Sequence, residues 1–136
     1  MRNNTMKKLL VAGVVMTGLV AGSAFAGQVT HQINITNNAS SYMNYLSASI
    51  SNSSGSFKNL TYDQAVVFQI PDQNSILYVK DSSSLKAVVH KCVFNTAYLD
   101  TVNNQYTLEV ENQNDSGGFR MLQTNNNNVQ VPVSCN

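Results

Sequence analysis

Apolar residues in this chain return at every second position, segment after segment, and no window keeps a helical spacing for three turns. Side chains on an extended backbone point alternately to its two faces, so such a run builds a strand with one face in a core. Val29, His31, Ile33 and Ile35 alternate with Thr30, Gln32, Asn34 and Thr36, and Leu46, Ala48 and Ile50 alternate with Ser47, Ser49 and Ser51. Val66, Phe68 and Ile70 form a third run that stops at Pro71. Further runs occupy 76–80, 85–94, 106–110, 119–123 and 129–133, which makes about eight strands. Only 98–105 is ambiguous, and it accommodates a short helical turn.

The runs are separated by residues that bond to their own main chain or accept left-handed backbone. These are 37–40, 52–55, 71–74, 81–84, 103–104, 114–118 and 125–128, rich in Asn, Ser, Asp and Gly. No gap holds a helical crossover. The pattern predicts an all-β domain, a small antiparallel β-sandwich of immunoglobulin-like or Greek-key type, with a closed barrel as the alternative.

Lys7 and Lys8 precede an uncharged, mostly apolar run at 9–22, and Ala24-Phe25-Ala26 follows. A cationic start, an apolar stretch and a small–x–small end are the layout of a secretory signal peptide. The expectation is a leader at 1–26, cleaved after Ala26, and one mature domain at 27–136, secreted or periplasmic and of bacterial type. The run is shorter than the roughly 20 residues that span a bilayer, and the mature chain has no second one, so no transmembrane segment is expected in it.

Without the leader, five basic side chains (Lys58, Lys80, Lys86, Lys91, Arg120) face seven acidic ones (Asp63, Asp72, Asp81, Asp100, Glu109, Glu111, Asp115), a net charge of −2. No basic stripe exists to neutralise phosphates, which argues against nucleic acid and against anionic lipid as partners. Polarity comes instead from Asn, Ser, Gln and Thr, neutral donors and acceptors that suit sugars and other uncharged polar ligands. A weakly charged surface also resists self-association poorly.

Cys92 and Cys135 are the two cysteines. In an exported domain an isolated pair of this kind forms a disulfide. It would pin the last strand, 129–133, onto the strand at 88–94. By the chain-entropy argument such a bond is worth roughly 4 kcal/mol. There is no CxxC and no His/Cys cluster, so neither a metal nor a cofactor is expected.

Asp115-Ser116-Gly117-Gly118 resembles the nucleophile turn of chymotrypsin-like proteases, and Val88-Val89-His90-Lys91-Cys92 is similar to the family's Ala-Ala-His-Cys. His90, Asp100 and Ser116 even follow that family's order. The resemblance covers about ten residues and implies two β-barrels, whereas this chain has length for one domain. Asn114 stands where the family has glycine, and Lys91 separates His90 from Cys92. The four residues read better as a polar turn. His31 lies on the apolar face of the first strand, as a packed and hydrogen-bonded core residue would. Glu109 and Glu111 share one strand face, where solvation explains them.

The expectation is therefore a non-enzymatic binding module for a polar ligand, carbohydrate or cell-surface. The neutral groups best placed in loops are Tyr42, Tyr45, Tyr62 and Asn126. Two alternatives follow from weaker likenesses. The alternating segment 27–36 is similar to the donated strand of chaperone–usher pilins, implying a self-assembling subunit. Residues 33–40 resemble the opening Ile-x-Ile-x-Asn-Asn-x-Ser strand and turn of small membrane-active, toxin-like sandwiches.

Overall fold

The computed structural model describes residues 29–39, 45–113 and 118–136. The expected leader at 1–26, Tyr42 and Ser116 lie outside the described residues. The described chain is all-β, with nine strands and a single 3₁₀ turn. The strands are β1 (Thr30–Asn37), β2 (Leu46–Ser49), β3 (Lys58–Asn59), β4 (Ala65–Pro71) and β5 (Ile76–Asp81), followed by β6 (Val88–Val93), β7 (Gln105–Gln113), β8 (Gly118–Thr124) and β9 (Gln130–Cys135). The 3₁₀ turn, Thr96–Tyr98, joins β6 to β7 and falls at the edge of the segment that the sequence left ambiguous.

Period-two alternation translates into burial in β1, β5 and β7, whereas β2 is buried at all four positions, Ser47 and Ser49 included. In β1, every second residue is buried: His31, Ile33, Ile35 and Asn37. The same holds for Tyr106, Leu108 and Val110 in β7 and for Leu77 and Val79 in β5. These side chains meet Leu46, Ile70, Cys92 and Met121 in one core to which both halves of the sheet contribute. Each aliphatic side chain removed from water in this way contributes roughly 1.5–3 kcal/mol.

The strands follow the order β3-β2-β5-β6-β9-β8-β7-β1-β4 in a nine-stranded mixed sheet. Neighbours are antiparallel except β1 and β7, which run parallel from Gln32↔Gln105 to Asn37↔Val110. That pair corrects the expectation of a wholly antiparallel fold. Parallel strands need a long connection, and β2 to β6 intervene between these two. Alternation reports which face is buried, and a strand shows the same period whichever way its neighbour runs.

The sheet nearly closes on itself. Its terminal strands are β3 and β4, and Lys58 of β3 reaches across to donate from Nζ to Val67 O at 3.2 Å, while its ammonium sits 4.8 Å from the Phe68 ring centroid. β3 is the one strand absent from the sequence reading, because two residues are too short to alternate. The seam between the halves is narrow. β6 and β9 pair only at Cys92↔Cys135 and Val93↔Ser134, and the expected disulfide joins the first of these pairs. Lys91 and Asn136 exchange both of their backbone hydrogen bonds beside it, at 2.9 and 3.0 Å. Cys92 and Cys135 thus form a non-hydrogen-bonded pair, the position where opposed side chains come closest.

Candidate functional site

The 3₁₀ turn, the loop that follows it and the β8–β9 turn enclose a groove of about 540 Å³. Amide pairing ties the start of the 3₁₀ turn to β8. Gln123 is fully buried, and its side chain pairs with the Asn95 backbone as a strand would: Asn95 N donates to Gln123 Oε1 at 2.8 Å and Gln123 Nε2 donates to Asn95 O at 2.9 Å. Asn95 Oδ1 in turn accepts from Ala97 N at 2.9 Å and caps the 3₁₀ turn. Tyr106 Oη donates to Thr96 O at 3.1 Å. Tyr98 is thereby presented, half-buried, to the groove.

One wall is the β8–β9 turn. Asn125 Oδ1 accepts from Asn127 N at 2.9 Å and from Val129 N at 3.0 Å, a self-bonded Asx turn. Asn128 adopts φ 60°, the left-handed backbone that asparagine tolerates well. Asn126 Nδ2 donates to Ala97 O at 3.3 Å, so it ties this wall to the 3₁₀ turn.

The other wall is the loop between Asp100 and Gln105, which exchange backbone hydrogen bonds at 2.9 and 3.2 Å. Asp100 closes the loop from inside. Its Oδ2 accepts from Asn103 Nδ2 at 2.8 Å and its Oδ1 from Val102 N at 3.0 Å. Bonding from the Asn103 side chain above all, with the Asn103 and Val102 amides, holds the Asp100 carboxyl below the usual carboxylate range. This ionised group is the groove's single charge. Around it stand Thr101, Gln105, Thr107 and Thr124, all uncharged polar side chains.

The structure separates the residues picked from sequence. Asn126 lines the groove. Tyr45 packs on the core at the start of β2, and Tyr62 pairs with Asn37 at the far end of β1 from Gln105. Tyr98 was missed as a groove residue because it sits in the ambiguous segment beside Asp100, with no alternation to place its ring.

The catalytic candidates are dispersed. His90 stacks edge-on against Phe119, ring centroids 5.2 Å apart. Asp100 turns its carboxylate into its own loop. His31 is buried on β1, with its ring nitrogens against Asn104 and Asp72. Glu111 pairs with Arg120, and Glu109 accepts from Asn38 Nδ2 at 2.7 Å. Among the described residues, no three His, Cys, Asp or Glu side chains gather to hold a metal, and no helix is long and apolar enough to cross a membrane. Comparison with known families, with characterised proteins and with solved structures finds no match.

Proposed function

We propose that this protein is an exported, non-enzymatic binding module whose groove takes a neutral polar ligand, a short saccharide being the class that suits it. The observation that carries this reading is the lining. A half-buried tyrosine lies beside threonine hydroxyls and asparagine and glutamine amides, in a volume within the range of small-molecule sites. Sugar rings present an apolar face to an aromatic ring and hydroxyls to amides and carboxylates. The groove has one aromatic ring and several amides and hydroxyls, held by loops that are bonded internally before any ligand arrives. Preformed loops lower the ordering cost of binding.

Export to an oxidising compartment agrees with the Cys92–Cys135 bond, which reducing cytosol disfavours. The strand-donation alternative has less support. β1 lies between β4 and β7 in its own sheet, so donating it would require leaving both neighbours.

Screening the exported protein against an array of neutral and acidic oligosaccharides tests the proposal. Neutral glycans are expected to bind, and Tyr98→Ala is expected to weaken the best of them at least about tenfold, in line with loss of a stacked aromatic anchor. Tyr45→Ala and Tyr62→Ala should leave binding unchanged. Binding that is lost in the Tyr62 variant and kept in the Tyr98 variant would move the site to the other end of the sheet.

A further inference from the structure

His31 is a buried titratable side chain that saccharide binding does not use. Its Nδ1 lies 2.6 Å from Asn104 Oδ1, and its Nε2 lies against Asp72 Oδ1. Which end of the Asn104 amide faces the ring is fixed from its other side. Asn104 Nδ2 donates to Thr30 O at 3.0 Å, which leaves Oδ1 for the histidine. An amide oxygen and a carboxylate oxygen only accept, so both ring nitrogens have to donate. Imidazole carries two N–H bonds only in its protonated form.

We propose that protonated His31 is a pin that fastens the 100–105 loop to β1, so that pH sets whether one wall of the groove is held; the consequence for ligand rests on the groove being the binding site. The loop hangs on Asn104, which sits at φ 56° between the groove residues Asp100 and Gln105. Three bonds join it to β1: Gln32 N to Asn104 O at 3.0 Å, Asn104 Nδ2 to Thr30 O, and His31 Nδ1 to Asn104 Oδ1.

Loss of the second proton strains this set in one direction. A bond to a carboxylate is roughly twice as strong as one to a neutral acceptor, so the remaining N–H stays on Nε2, toward Asp72. The Nδ1 lone pair then faces the Asn104 oxygen. Turning the amide over relieves that repulsion and gives up the bond to Thr30 O. In either orientation of the amide one of the three attachments fails, the bond to Nδ1 or the bond to Thr30 O.

The other groups around the ring do not follow pH in the same way. Tyr106 meets His31 edge-on at 5.9 Å, and burial, helped by the Asp72 charge, pushes its phenol up, so it stays neutral. Asp100, in the same loop, keeps its carboxylate on Asn103 and Val102. Asp72 supplies the low-pH limit, because protonating it removes the charged partner of Nε2.

Backbone hydrogen exchange of the exported protein, read by NMR without ligand, tests the pin. Protection factors at the Gln32 and Gln105 amides are expected to fall roughly tenfold as pH rises through the titration of His31, followed on its own ring signals. Those at Leu108 should stay level. Asp72→Asn offers Nε2 an amide that can donate, which satisfies the neutral ring, and should remove the step. Asn104→Gly keeps the left-handed backbone and should give low protection at every pH. A flat wild-type profile, or a step that survives Asp72→Asn, overturns the pin. Neither result bears on saccharide binding, and a failed glycan screen leaves the exchange result standing.

Discussion

The two ends of the sheet use the same side chains in opposite ways. At the end of β1 near Tyr62, Asn37 is fully buried; its Nδ2 donates to Leu60 O at 2.7 Å and its Oδ1 accepts from Ala39 N at 3.0 Å. At the other end, Asn103 and Asn125 also bond to neighbours in their own loops, yet the loops so formed stand around an opening. An amide becomes structural filling where the chain folds over it. At the groove it shapes a rim around threonine hydroxyls and a tyrosine ring. Both ends carry Asn, Thr and Tyr, and the difference lies in which backbone partners come within reach.

The largest test of that contrast is the disulfide, which crosses the narrow seam between the halves. Replacing Cys92 and Cys135 together by Ser should cost roughly 2–5 kcal/mol in a chemical-denaturation measurement. Both ends are expected to unfold in one transition, because their core residues belong to one cluster. Separate transitions at the Asn37 and Asn126 ends would show two independently stable units instead of two ends of one.

Next in size is Asn37→Ala. The substitution leaves Leu60 O and Ala39 N without their partner in a buried place, and a buried polar group left unpaired costs about 1–3 kcal/mol. Thermal unfolding should register that loss. Asn126→Ala, at the rim, breaks one exposed bond of 3.3 Å and should change stability by less than about 0.5 kcal/mol. Equal losses at the two positions would mean that the rim is as much part of the packed fold as Asn37.

Much of this was legible in the sequence, and the limits are physical. Alternation located every strand from β1 to β9 except β3, since burial on one face is what alternation encodes. Turn chemistry was readable in part: Asn104 and Asn128, at positive φ, fall in two of the polar clusters, whereas Asp63, at φ 61°, falls in none. The cysteine pair foretold the seam. Strand order was not readable, because the parallel contact of β1 with β7 joins segments about 70 residues apart without any local mark. For the same reason the groove stayed hidden. Tyr98, Thr107 and Asn126 come from three segments that only the tertiary fold brings together, while Tyr45 and Tyr62 looked equally suitable as loop aromatics.

The smallest expected effect concerns Asp100, and it sharpens the contrast by acting at one end only. Its carboxyl sits below the usual carboxylate range because Asn103 and Val102 bond its charged form. A group whose folded value is depressed contributes stability that is complete above its unfolded value and is lost as pH falls through the folded one. Acid should therefore loosen the 100–105 loop, seen as faster exchange at Val102 N and Asn103 N. Ala39 N, bonded to an amide oxygen, has no such dependence. The pin at His31 also weakens in acid through Asp72, so the two causes have to be separated. Asp100→Asn should abolish the acid step at Val102 and Asn103, whereas Asp72→Asn should leave it in place. If Asp72→Asn removes the step instead, the loop is held from β1 and not by its own carboxylate.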